Sequence, residues 1–156
     1  MILLGGNLFA QGGLIKVHYR TFDKEILIDQ SFKRYTAVMN DLALLFSIKV
    51  EVQESFRIDG EVVDNAIVVP AKKSNHLVGH ALDINLEYKN KLYNSPLLNN
   101  YESLPKAIKN FITGCKIAGM QWGGDFPIKD GVHFDDRLYE KNSKLYEELY
   151  KKYQKK

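Results

Sequence analysis

Two ligand-type residues seven positions apart, His76 and Asp83 in the stretch SNHLVGHALDIN, constrain the local fold more tightly than any other feature of the 156-residue chain. In a single α-helix they would share a face but lie about 10 Å apart along the axis, at ~1.5 Å of rise per residue. In a single strand an odd separation sends them to opposite faces, further apart still. Atoms that share a zinc ion at ~2 Å each lie within about 4 Å of one another. If both bind one ion, His76 must sit on a loop that folds back over the start of a strand carrying Asp83. Gly79 eases the reversal and Ala81 leaves room for it.

A competing pair is His76 and His80, whose four-residue spacing places two imidazoles on one helix face. In a helical H-E-x-x-H protease site the glutamate after the first histidine is the general base. Leu77 occupies that position and cannot accept a proton, and Gly79 costs a helix about 1 kcal/mol relative to alanine. The helical pair therefore loses both its base and most of its helix, and His80 is left outside the site.

The rest of the chain reads as parts of one core, without repeats or long linkers. LIKVHYRTFDKEILI has two β-prone runs around a polar centre, as a hairpin does. From Asp29, a plausible cap, the spacing of Phe32, Tyr35, Val38, Met39, Leu42, Leu45 and Phe46 is helical. KVEVQESF alternates as a strand and delivers Arg57 at its end. Residues 58–73 read as an irregular connection or short strand. Leu82, Ile84, Leu86 and Tyr88 alternate with Asp83, Asn85 and Glu87, so Asp83 points away from the aliphatic face. A helix is expected from about Ser103 to Gly119, with Pro105 in its first turn, and another in SKLYEELYKKY. Strands and helices without regular βαβ alternation predict an α+β fold, a small central antiparallel sheet with flanking helices. A single domain over 1–156 is expected, with 1–14 as an arm or strand.

The third ligand is expected at His133, which Val132 and Phe134 turn to the opposite face of a short strand. Asp130 precedes it by three residues. Those two could not converge in a straight strand, but Asp130-Gly131 is a turn dipeptide that lets the chain bend, placing a potential general base beside the metal. Three protein ligands leave a fourth position for water, as in catalytic zinc sites.

At this point the residues resemble a known family. SNHLVGHALD matches the S-x-H-x-x-G-x-A-x-D signature of M15 zinc peptidases, the D-alanyl-D-alanine carboxypeptidase and dipeptidase group that also includes phage endolysins. WGGDFPIKDGVHFD is similar to the W-G-G-D-[WF]…D-x-x-H-F segment of the branch containing L-alanyl-D-glutamate endopeptidases. The resemblance covers about 55–135. It implies the M15, Hedgehog-like fold, with one catalytic zinc held by His76, Asp83 and His133 and with Asp130 as catalytic base. It also implies that Arg57 stabilises the oxyanion and that Ser74 binds substrate or orients the His76 loop; Trp122 would help to shape the substrate groove. The chain departs from the pattern at Val132, where proline is frequent, and at Asp135, where glutamate or glutamine is common. A glutamine-containing helix frequent between the arginine and the histidine motif is not evident.

The implied function is hydrolysis of an amide bond in the peptidoglycan stem peptide, as an L-Ala-D-Glu endopeptidase. A D,D- or L,D-carboxypeptidase and a non-catalytic zinc-stabilised wall-binding or virion module are the alternatives. Net charge of +3 is too mild for nucleic acid, and no run approaches the ~18 apolar residues of a membrane span. The lone Cys115 excludes an intramolecular disulfide and falls on a helical apolar pattern. The expected protein is a monomer acting on peptidoglycan in the periplasm or cell wall. With no charged segment before Lys16 to suggest a signal peptide, delivery is expected by lysis, export or injection.

Overall fold

The computed structural model describes residues 12–60 and 73–155. The expected arm over 1–14 and the connection over 58–73 therefore lie largely outside the described residues. In chain order the elements are β1 (Leu14–Val17), β2 (Ile26–Asp29), α1 (Lys33–Phe46), β3 (Ile48–Glu54), β4 (Ala81–Tyr88), β5 (Lys91–Tyr93), α2 (Ser95–Leu98), α3 (Lys106–Ile117), β6 (Gln121–Trp122), β7 (His133–Asp135), α4 (Leu138–Lys141) and α5 (Ser143–Tyr153). The fold is α+β, as the mixture of periodicities predicts.

β1 and β2 form the expected antiparallel hairpin. Asp29 ends it and starts the next element, its side chain accepting the Ser31 backbone N–H at 2.8 Å above a short 3-10 turn that runs into α1. α1 turns Tyr35, Thr36, Met39 and Ala43 inward and stops at Ser47, whose left-handed backbone (φ 55°) launches β3. The main sheet has the order β3-β4-β7-β6, with β5 also on β4, so β4 is central. Its Leu82, Ile84 and Leu86 are completely buried with Phe111 and Phe134 in the main core. Each such side chain contributes roughly 1.5–3 kcal/mol by leaving water.

β3 and β4 pair in a regular antiparallel register until Val52 meets Ile84; then Glu54, not Gln53, lies opposite Asp83. This bulge inserts one residue into β3 and turns Glu54 to the face of Asp83. A second apolar cluster, Val78, Leu138, Tyr146 and Leu149, seats the C-terminal helices on the turn that carries His76.

Candidate metal centre

His76 sits in a 3-10 turn, Asn75–Val78, that precedes β4. Ser74 caps the turn, its hydroxyl accepting the His76 N–H at 3.3 Å. Gly79 ends it with φ 73°, and a Cβ there would lie 2.5 Å from the Asp29 backbone nitrogen. Only glycine fits both that conformation and that approach. The chain thus reverses and enters β4, which carries Asp83. β7 pairs with β4 so that His133 lies directly across from Asp83. The fold-back loop and the paired strand bring the three side chains together.

Their facing atoms form a small triangle: His76 Nε2 to Asp83 Oδ1 3.1 Å, His76 Nε2 to His133 Nδ1 3.3 Å, and His133 Nδ1 to Asp83 Oδ1 3.0 Å. Two donors at ~2.0–2.1 Å from a tetrahedral ion are about 3.3 Å apart, so the triangle fits one face of a zinc tetrahedron. The remote ring nitrogens fit as well. His76 Nδ1 donates to the Ser55 carbonyl at 2.7 Å, and His133 Nε2 donates to Asp135 Oδ2 at 2.8 Å. Each bond holds the opposite nitrogen toward the centre, the usual outer support of a metal-binding histidine. Side-chain exposure is 4% for His76, 12% for His133 and 20% for Asp83, so the cluster opens on the side of the two strands. Among the described residues this is the one His/Cys/Asp/Glu group with metal-holding geometry.

The electrostatics suit a cation. Burial works against ionising Asp83, but His76 and His133 hold its carboxyl well below the usual range. Burial likewise opposes charge on His133, but its bonds to Asp135 and Asp83 raise it to about 10. A metal ion entering the site therefore displaces a proton. Asp130 lies on the turn before β7, its carbonyl accepting the His133 N–H at 3.0 Å. Burial raises its pKa, nearby Asp83 adds to this, and His133 and His76 offset only part of it. A carboxylate made more basic in this way is better suited to accept a proton near neutrality.

Residues 69–136 match the family model described as D-alanyl-D-alanine carboxypeptidase, of the M15 peptidases. The segment that carries the triangle is similar to M15 metallopeptidases. No curated protein matches the chain. The match spans a little under half of the sequence and contains Ser74, the whole triangle, Trp122 and Asp130. Arg57, α1, β3 and α5 lie outside it.

Relative to this triangle, the other expected site residues fall in different places. Arg57 is 8% exposed, and its Nη1 meets Glu54 Oε1 at 3.2 Å and Oε2 at 2.9 Å. Glu54 Oε2 is also 3.6 Å from His76 Nδ1, so one carboxylate lies between the arginine and the metal-type histidine. Ser74 is engaged in capping the His76 turn and is not part of the triangle. Trp122 lies on β6. Its side chain is packed in the core, 3% exposed, and its Nε1–H donates to the Gly131 carbonyl at 2.7 Å. It braces the Asp130-Gly131 turn.

His80 is excluded from the triangle and is 2% exposed. Nδ1 lies 2.8 Å from Asp136 Oδ2; Nε2 lies 3.1 Å from Ser31 Oγ and 3.5 Å from Asp29 Oδ1. The chain Ser31–His80–Asp136 has the connectivity of a hydrolase triad but not its chemistry. Burial disfavours charge on His80, yet the bonds to Asp136 and Asp29 raise it to about 9, so the ring is a cation and not a base at neutral pH. Ser31 Oγ donates its proton to Asp29 Oδ1 at 2.5 Å.

Sequence reasoning passed over Asp135 as a mere departure from the family pattern. Strand periodicity holds the signal that would have found it, since residues two apart face the same way and Asp135 therefore accompanies His133. Burial works against its charge, but the His133 bond keeps its carboxyl below the usual range. Glu54 is invisible without the bulge.

Proposed function

We propose that the protein is a zinc-dependent peptidase of peptidoglycan stem peptides. The observation that carries this reading is the 3.0–3.3 Å triangle of His76, Asp83 and His133 with Asp130 on the adjoining turn, inside the segment that matches M15 peptidases. Zinc held there supplies a Lewis acid that polarises the scissile carbonyl and makes a water molecule acidic near neutral pH. Asp130 takes the proton of the attacking water and delivers it to the leaving amine. Arg57 stabilises the tetrahedral oxyanion, while Glu54 fixes the guanidinium and balances its charge in the resting enzyme. Asp135 and the Ser55 carbonyl keep the two histidines in the ligand orientation. Ser74 acts through the His76 turn.

The WGGDF segment favours endopeptidase cleavage between L-alanine and D-glutamate. A carboxypeptidase that removes the terminal residue is the second reading, favoured by the description of the matching family as D-alanyl-D-alanine carboxypeptidase. Either reaction places the working enzyme at the bacterial wall, in the periplasm or outside it.

Digestion of purified muropeptides, followed by mass spectrometry, separates the readings. New N-terminal D-glutamate with free L-alanine on the glycan is expected for the endopeptidase; loss of a terminal residue alone selects the carboxypeptidase. If Asp130→Ala binds zinc and still hydrolyses at the wild-type rate, Asp130 is not the base; if the zinc-loaded wild type binds wall fragments and cleaves neither bond, the non-catalytic wall-binding module replaces the enzyme reading.

A further inference from the structure

The end of the chain, YKKYQKK, has the composition of a solvated helix end. One residue in it behaves otherwise. The side chain of Gln154, the first residue beyond α5, makes three hydrogen bonds, all to backbone groups of segments distant in sequence. Its Nε2 donates to the Arg57 carbonyl at 2.9 Å and to the Leu77 carbonyl at 2.7 Å, and its Oε1 accepts the Asp59 N–H at 2.8 Å. A primary amide offers two protons and a carbonyl, and all three functions are engaged here.

The segments it joins are the Arg57 arm and the His76 turn. They already meet in two places: the Arg57 N–H donates to the His76 carbonyl at 3.1 Å, and His76 Nδ1 donates to the Ser55 carbonyl at 2.7 Å. Gln154 adds a third tie, bridging the Arg57 and Leu77 carbonyls, which cannot bond to each other. The first two bonds hold the arm as far as the Arg57 N–H; the amide fixes it on the other side of that residue, at its carbonyl.

The support for Gln154 is itself fixed. Tyr146 and Leu149 of α5 are buried against Val78 and Leu138, the Tyr146 hydroxyl donates to the Ser74 carbonyl at 3.0 Å, and the Tyr153 hydroxyl donates to Asp29 Oδ2 at 2.5 Å. α5 therefore grips the His76 turn along its length and ends where Gln154 reaches the arginine arm. Neither α5 nor the arm lies in the family-matched segment.

We propose that Gln154 is a positioning residue that holds Arg57 in register with the His76 turn, so that the C-terminal helix completes the active site. This rests on Arg57 acting at the oxyanion. The test compares wild type, Gln154→Ala, Gln154→Glu, Arg57→Ala and the Gln154→Ala/Arg57→Ala double variant for kcat and KM on muropeptide. Zinc affinity is measured alongside by chelator competition. Gln154→Ala is expected to lower kcat by about 10-fold or more with KM little changed. The double variant is expected to be no slower than Arg57→Ala, because the amide acts through the arginine. A Gln154→Ala kcat within about twofold of wild type, or losses that multiply in the double variant, overturns the proposal. If Gln154→Ala does not fold, Gln154→Glu, which keeps length and acceptor but loses both donors, takes its place with the same expectations. If Arg57→Ala retains wild-type kcat, the oxyanion reading has failed separately. Weaker zinc binding by Gln154→Ala then supports positioning of the His76 turn, and unchanged affinity overturns it.

Discussion

Two histidine–carboxylate clusters lie only a few residues apart in this chain, and they serve opposite ends. Around His76, Asp83 and His133, each ring directs one nitrogen outward to a fixed acceptor and leaves the other facing a shared point. Around His80, both ring nitrogens face protein groups, with Asp136 on one side and Ser31 and Asp29 on the other. The first cluster has a place for a cation to enter; in the second the cation is the imidazolium itself. Residue type does not separate the two clusters. The direction of the second nitrogen does.

The largest expected effect that tests this contrast is removal of a proposed ligand. His133→Ala or Asp83→Ala should abolish stoichiometric zinc binding by metal analysis and lower kcat/KM by about 10³-fold or more. His80→Ala should give the complementary phenotype. It strands Asp29 and Asp136 as buried charges and should cost about 3–5 kcal/mol in denaturant unfolding, with one zinc still bound per folded chain. Loss of zinc from folded His80→Ala protein would erase the distinction between the clusters.

Smaller effects sharpen it. Asp135→Asn keeps the shape beside His133 but removes the charge, and is expected to weaken zinc binding by about 10- to 100-fold in chelator competition. The two clusters should also respond oppositely to pH. Since His133 is raised to about 10 in the metal-free protein, zinc must displace its proton. Apparent affinity should therefore rise with pH by up to about tenfold per unit, with proton release detectable by calorimetry in buffers of different ionisation enthalpy. His80 is raised from 6.5 to about 9, so its contribution to stability is fully present below pH 6.5 and is lost as pH rises through 9. In zinc-loaded protein, where His133 no longer titrates, Tm should fall across that window in the wild type, and His80→Ala should lack that component.

Much of the triangle was legible in the sequence because local rules specify it. Spacing rejected a shared helix for His76 and Asp83, glycine permitted the reversal, and alternation aimed Asp83 and His133 away from the aliphatic face. These are properties of short segments, which a linear reading can follow. The antiparallel sheet and the amphipathic helices were legible for the same reason. A tryptophan beside two glycines reads as a groove wall, and the bond of its indole N–H to the Gly131 carbonyl, nine residues away, is seen only in the folded turn. Gln154 could not be read at all, since its three partners are backbone groups brought near by α5 packing, and backbone groups leave no trace in residue identity. Arg57 was placed correctly at the end of a strand, but its pairing with Glu54 depends on a register shift that no composition announces.

That shift in β3 sets the mutational character of the whole arm. Between Val52 and Glu54 the strand advances by one residue without advancing along its partner, and everything after it is rotated to the other side of the sheet. β3 acts as a phase element: it determines on which side the arginine arm emerges by how many residues it contains. Exposed Gln53 can change its identity at little cost, but an unbulged strand of the same length would set Glu54 opposite Leu82, toward the core, and carry Arg57 away from His76. At Gln53 the strand is free in letter and fixed in register.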